Sequence, residues 1–265
     1  MRLPDIDGVL CDLDGVVYSG AEAVPGAVEG LGRLRAHGVP VAFVTNNASR
    51  PPQAVTEHLR ALGVRAEAED VFGSAPAAVD LLDEAVRPGD AVLVVGSGYL
   101  RDLVAAAGYR PVNTADERPA AVIQGFDLDT GWRHLAEASY AIARGAVWVA
   151  TNLDRSIPRA EGTAPGNGSL VAAVTAATGA VPRAAGKPEP LLFRTAAEAC
   201  GMHRPLVVGD RLDTDVRGGN AAGFTTALVL TGVDDRARAR AADDADRPDH
   251  VVPDLTALAE ALSRA

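Results

Sequence analysis

Two aspartates two residues apart, Asp12 and Asp14, stand in the run Gly8-Val-Leu-Cys-Asp-Leu-Asp-Gly-Val-Val-Tyr-Ser-Gly20. The apolar segment Val9-Leu10-Cys11 precedes them and Gly15 follows, the pattern of a buried strand ending in a turn. Residues i and i+2 of a strand project to the same face, so both carboxylates leave the end of that strand together. Like charges that close repel unless a cation or a shared proton stabilises them. The stretch therefore calls for a metal ion and offers a carboxylate nucleophile. Asp-x-Asp-Gly is also a common turn sequence. An EF-hand is excluded, because the third oxygen ligand and the closing Glu are missing.

Three further sets of residues fit the same chemistry. Thr45-Asn46-Asn47 offers a hydroxyl, carboxamides and backbone N–H groups at a helix start, donors that suit a phosphate. Lys187, in Gly186-Lys-Pro-Glu-Pro190, is the only lysine among 25 basic residues. A chain that otherwise uses Arg retains Lys where a compact ammonium fits and a planar guanidinium does not. Gly209-Asp210-Arg-Leu-Asp-Thr-Asp215 follows the apolar Leu206-Val207-Val208. Asp210 joins Asp12 and Asp14 if its strand neighbours the first.

These residues need a scaffold, and the pattern supplies one. Residues 25–37 read as a helix, with Pro25 at its first position and Gly38 beyond its end. Residues 39–44 read as a strand. A second helix carries Val55, Leu59 and Leu62 on one face, and Val71-Phe72 is a third strand. This βαβαβ order implies a parallel sheet with helices on its faces. The pattern restarts near residue 77, with strands at 91–95, 121–123 and 146–150 and helices from 98 to about 107 and over 132–144. It restarts again with strands at 204–209 and 225–230. An edge strand at 251–252 and a closing helix over 254–263 follow, and 234–247 reads as solvated helix or loop. The expectation is an α/β protein binding its ligand at the carboxyl ends of the strands.

Composition narrows the function. The chain has 265 residues, 48% of them apolar, a net charge of −10 and only 4% aromatics, which argues against a nucleic-acid groove. Cys11 and Cys200 form no disulfide framework and no zinc spacing. The N-terminal residues lack a signal-peptide core, and no apolar run reaches the length of a membrane span. The expectation is a soluble cytoplasmic protein with no membrane or nucleic-acid partner. Gly96-Ser-Gly98 lacks the third glycine of a dinucleotide fingerprint, and Gly162–Ser169 lacks the Gly-Lys-Ser/Thr of a Walker A loop.

Taken in order, Asp12-Leu-Asp14-Gly15, Thr45-Asn46-Asn47, Gly186-Lys187-Pro188 and Gly209-Asp210…Asp215 resemble the motifs of the haloacid dehalogenase (HAD) superfamily of phosphatases. Ala150-Thr-Asn-Leu-Asp154 and Pro165-Gly-Asn-Gly-Ser169 are similar to cap sequences of its NagD-like, p-nitrophenyl phosphatase branch. The resemblance implies a Rossmann-like HAD core over 1–76 and 183–265, with an inserted α/β C2 cap over 77–182. It implies that Asp12 is the nucleophile, forming an aspartyl-phosphate, and that Asp14 is the general acid and base. It implies Mg²⁺ held by Asp12, the Asp14 carbonyl and Asp210, with Asp215 behind them. Thr45, Asn46, Asn47 and Lys187 would bind substrate.

Substrate choice is then expected in the cap loop Asn152–Pro158. Ile157 stands where related vitamin B6-phosphate phosphatases carry His, which argues against pyridoxal phosphate. Arg155 or Arg159 are candidates to meet an acidic or polyol substrate, and the resemblance leans to glycerol phosphate or phosphoglycolate. Homodimerisation through the cap is a further family expectation. A phosphomutase of the same superfamily is the alternative, and release of inorganic phosphate separates the two. A phospho-accepting receiver module fits less well, since its acidic pair is adjacent and it lacks a cap.

Overall fold

The computed structural model describes residues 6–159 and 161–263. The chain divides into two compact units, one from Met1–Thr45, Pro52–Phe72 and Lys187–Ala265, the other from Asn46–Pro51 and Gly73–Gly186. The change-over points fall at 72/73 and 186/187. The short excursion Asn46–Pro51 has no counterpart in the sequence reading.

The first unit is built on a six-stranded sheet in the order His250–Val252, Thr225–Val229, Pro205–Gly209, Gly8–Cys11, Val41–Thr45, Val71–Gly73. The inner strands are buried along their whole length, as a parallel sheet covered on both faces requires. Gly8–Cys11 pairs in parallel with Pro205–Gly209 on one side and Val41–Thr45 on the other, with Cys11 opposite both Val208 and Phe43. Chain order therefore reverses at Gly8–Cys11, the arrangement that opens a ligand crevice outside the carboxyl ends of adjacent strands. Asp12, Thr45 and Asp210 each stand at one of those three ends. Leu31 and Leu34 of helix Ala27–Ala36, and Leu255 and Leu258 of helix Leu255–Ser263, close the core against Val9, Cys11 and Phe43.

The second unit carries a five-stranded sheet in the order Arg183–Ala184, Val147–Ala150, Ala121–Gln124, Ala91–Val95, Arg110–Val112, all parallel. Ser156–Arg159 and Gly162–Pro165 add an antiparallel hairpin. Leu93, Val95, Val122, Trp148, Val171 and Val174 pack one face of its core.

Most expected elements are present, with shifted ends. The first helix starts at Ala27, because Gly26 before it takes a left-handed φ of 81°, which leaves Pro25 outside. The second strand runs Val41–Thr45, so Thr45 is its last residue. The 234–247 stretch contains the helix Arg236–Ala241, capped by Asp235 on the Arg238 amide, and a short turn over Asp244–Asp246. Helix Asn167–Thr178 was missed because small apolar residues surround it and leave no periodic face. Hairpins Tyr18–Ser19/Glu22–Ala23 and Ser156–Arg159/Gly162–Pro165 are too short or too rich in Pro and Gly to alternate. Among the described residues no helix is long and apolar enough to cross a membrane.

Candidate active site

Asp12 continues the central strand by one residue, its amide donating to the Val208 carbonyl at 2.8 Å. Lys187 begins the last return of the chain to this unit and is 3% exposed. Its Nζ donates to Asp12 Oδ1 at 2.5 Å, to Asp215 Oδ1 at 2.7 Å and to the Val44 carbonyl at 3.3 Å. An ammonium carries three donors and no acceptor, so each of these contacts is one it can make.

Asp215 lies on a wide helical turn, Leu212–Val216, which curls back over the end of Pro205–Gly209. A methyl on Gly209 would fall 2.2 Å from Asp215 Cβ, so only glycine lets the two segments approach. Asp210 is cradled more tightly. Its Oδ2 accepts the Val233 amide at 2.8 Å, and a methyl on Gly232 would lie 1.9 Å from that oxygen. Gly15, at φ 81°, closes the other side, where a methyl would sit 2.5 Å from Oδ2. Thr231 Oγ1 ties the same loop to the Gly15 carbonyl at 2.7 Å. The Thr231–Val233 loop was not singled out from sequence; a Thr-Gly pair directly after a core strand was its only signal.

The electrostatics ask for a cation. Asp12, Asp210 and Asp215 are buried, with carboxylate oxygens within 4.8 Å of one another. Burial raises Asp12 well above the usual carboxylate range; Lys187 pulls it down, while Asp215, Asp210 and Asp14 push it up. Burial, then Asp215, raises Asp210 to about 7 against the Val233 amide, Lys187 and Arg211. Burial works against the Lys187 charge, yet Asp12 and Asp215 outweigh it and raise the amine. One ammonium faces three carboxylates, and Asp210 Oδ1 is buried without a hydrogen-bond partner. Unmatched hard oxygen donors of this kind fit Mg²⁺, which takes few protein ligands and keeps waters.

Asp14 is exposed, its carboxylate is not part of this cluster, and its backbone bridges to Tyr18. Thr45 is buried at the end of its strand. The chain leaves the first unit between Thr45 and Asn46, so the Thr-Asn-Asn run is split. Within the second unit, Asn46 Nδ2 donates to Asp154 Oδ1 at 3.0 Å. The Asn47 carboxamide oxygen accepts the Ser49 amide at 3.0 Å and the Ser49 hydroxyl at 2.8 Å, a local turn. Arg155 is exposed and Ile157 half-buried in the same unit, whereas the Arg159 side chain lies outside the described residues.

Residues 9–110 match the family described as haloacid dehalogenase-like hydrolase, and residues 184–258 match a second HAD-hydrolase-like family. A D-glycerol 3-phosphate phosphatase of Mycobacterium tuberculosis is 48% identical over 252 residues, covering 95% of this chain and 70% of that protein. The crystal structure of a glycerol phosphate phosphatase from the same organism, in complex with magnesium, matches with a TM-score of 0.91 at 47% identity, over 96% of this chain and 76% of that one. NagD from Escherichia coli matches with a TM-score of 0.84 at 32% identity, over 97% and 98% of the two chains.

Proposed function

The chain belongs to the haloacid dehalogenase-like hydrolases, and on that premise we propose that it is a magnesium-dependent phosphatase that hydrolyses a small phosphate monoester of the glycerol phosphate type. The observation that carries the reading is the placement of Lys187 Nζ between Asp12 and Asp215, beside the unpartnered oxygen of Asp210.

Asp12 attacks phosphorus and forms an aspartyl-phosphate. Asp14, exposed at the mouth of the strand end, protonates the departing alkoxide and then takes a proton from the attacking water. Asp12, the Asp14 carbonyl and Asp210 would hold Mg²⁺, which would supply positive charge to the phosphoryl oxygens. Lys187 neutralises the Asp12 carboxylate as the anionic substrate approaches. Asp215 fixes the ammonium from behind. Thr45 and the Asn46 main chain hold phosphoryl oxygens, since the Asn46 carboxamide is engaged with Asp154. Phosphate monoesters resist water so strongly that enzymes accelerate their hydrolysis by up to ~10²¹-fold, and fixed donors and cations are the means.

The second unit, 46–51 and 73–186, serves as the C2 cap, with Arg155 and Ile157 on the loop that selects substrate. Dimerisation through this unit belongs to the same reading, and the exposed Leu128 and Trp132 support it. A cytoplasmic location agrees with two unpaired cysteines. The test is phosphate release from glycerol 3-phosphate, phosphoglycolate and p-nitrophenyl phosphate, with Mg²⁺ and with excess chelator. Turnover of none of the three would remove the reading.

A further inference from the structure

The second unit grips the chain at the residues where it enters and leaves. Asn46 is the first residue past Thr45, and Gly186 is the last before Lys187. Hydrogen bonds hold Asn46 at both its side chain and its carbonyl. Its Nδ2 donates to Asp154 Oδ1 at 3.0 Å, and its carbonyl accepts Asn152 Nδ2 at 2.7 Å and Ser74 Oγ at 2.8 Å. Gly186 is fastened beside it: its amide donates to the Thr151 carbonyl at 2.8 Å. A methyl on Gly186 would fall 2.5 Å from Asn46 Oδ1 and 2.7 Å from the Thr151 carbonyl. The entering and leaving strands of chain are thus packed on each other.

The partner segment, 152–155, is itself immobilised. The start of helix Asn167–Thr178 captures its carbonyls one after another. Asn167 Nδ2 donates to the Asn152 carbonyl at 2.8 Å, Gly168 N to the Asp154 carbonyl at 2.8 Å and Ser169 Oγ to the Arg155 carbonyl at 2.6 Å. Methyls on Gly166 and Gly168 would collide with the Asp154 and Leu153 carbonyls at 2.3 and 2.0 Å, so no bulkier residue lets the helix start approach so closely. Asp154 therefore presents a fixed acceptor, and a carboxylate accepting from an amide makes the stronger, charge-assisted bond.

We propose that Asp154 is a positioning residue, which holds the Asn46 carboxamide against Gly186 and thereby sets the spacing of Thr45 and Lys187, the site residues covalently attached to them. This rests on the reading of Thr45 and Lys187 as phosphate-binding groups. Asp154 does not read the substrate; it fixes the backbone from which two of its binding groups hang. A displacement of about 1 Å in such a group costs on the order of 10²-fold in rate.

The test compares wild type with Asp154→Ala, Asp154→Asn, Asn46→Asp and the exchange N46D/D154N. The assays use p-nitrophenyl phosphate and glycerol 3-phosphate with Mg²⁺. In Asn46→Asp two carboxylates face each other; in the exchange the same bond forms with donor and acceptor reversed. The expected result is a fall in kcat of ~10- to 10²-fold in Asp154→Ala and Asn46→Asp, by the same factor on both substrates, a smaller fall in Asp154→Asn, whose carboxamide oxygen still accepts from Asn46 without the charge, and recovery of most of the Asn46→Asp loss in the exchange. Hydrogen exchange of the Thr45–Asn47 amides provides a readout that needs no substrate. It should quicken in Asp154→Ala and slow again in the exchange. An exchange variant as impaired as Asn46→Asp overturns the proposal, because Asn46 is then required for its own chemistry. So does a loss confined to one substrate, or unchanged hydrogen exchange. If wild type turns over neither substrate while hydrogen exchange responds as expected, the phosphatase reading fails and the positioning role of Asp154 on Asn46 stands.

Discussion

Lys187 Nζ lies 2.5 Å from Asp12 Oδ1, although the two residues are 175 positions apart. Both are almost fully buried. An ion pair withdrawn from water costs several kcal/mol per charge and is no efficient source of stability. On the proposed reading its value lies in chemistry. A carboxylate that attacks a phosphate dianion needs its charge offset at the moment of approach, and the ammonium supplies this without blocking the second carboxylate oxygen. Asp215, 2.7 Å from the same nitrogen, keeps the ammonium from moving with Asp12.

Lys187→Arg should therefore fail even though the charge is kept. The guanidinium is wider and its donors lie in one plane, while Asp12, Asp215 and the Val44 carbonyl all meet a single nitrogen. Turnover of p-nitrophenyl phosphate should fall ~10²-fold, and the melting temperature should drop because the larger head enters a buried space. Lys187→Met should destabilise by about 3–5 kcal/mol, leaving buried carboxylates unpaired. Steady-state assays beside chemical denaturation read both effects, and near wild-type turnover in Lys187→Arg would show the single lysine to be incidental.

The two aspartates of the first motif should separate. Asp12→Asn should abolish turnover, because an amide does not attack phosphorus. Asp14→Asn should slow reaction by ~10²- to 10⁴-fold, the range of general acid–base catalysis, and leave phosphate binding nearly intact, because in the proposed site Asp14 would give the metal only its main-chain carbonyl. Isotherms for inorganic phosphate, measured with Mg²⁺ on both variants, check the binding half. Equal loss of phosphate binding and turnover in Asp14→Asn would refute the division of roles.

Metal binding should be visible without substrate. A ligand that binds only the folded state raises stability by about 2.7 kcal/mol at one hundred times its Kd. Saturating Mg²⁺ should accordingly raise the melting temperature of wild type, and Asp210→Asn should cancel most of that rise. Thermal scans with and without chelator measure it; an equal rise in Asp210→Asn would move the metal elsewhere.

Gly232→Ala gives a sharper test of the same centre. The added methyl falls 1.9 Å from Asp210 Oδ2, so loop or carboxylate must move. Activity should require more Mg²⁺ for half-maximal rate, by about tenfold or more if the carboxylate moves by ~1 Å. A titration of rate against Mg²⁺ identical to wild type would mean the cradle does not hold Asp210 in place.

How much of this was legible in the sequence depends on the range of the interaction. The strand end bearing Asp12 could be read locally, from three apolar residues before a turn. Lys187 stood out by composition, and the apolar runs read as strands at 39–44, 91–95 and 204–209 coincide with Val41–Thr45, Ala91–Val95 and Pro205–Gly209 to within a few residues. The order of the sheet, which puts Asp210 beside Asp12, followed only conditionally from βαβ alternation. The grip of Asp154 on Asn46 spans 108 positions, and neither residue has an unusual local setting. The Gly232 cradle is similar: its requirement is a close approach to Asp210, and sequence spacing carries no trace of that. The excursion of Asn46–Pro51 into the second unit is likewise a property of tertiary contact.

The central claim is that Asp12 carries the phosphoryl group in a metal-dependent turnover. Rapid acid quench during hydrolysis of p-nitrophenyl phosphate, followed by peptide mapping by mass spectrometry, addresses it directly. The account predicts a phosphate on the peptide containing Asp12, absent in Asp12→Asn and absent when excess chelator is added before substrate. Phosphate trapped on another residue, or the same hydrolysis proceeding in chelator, would contradict it.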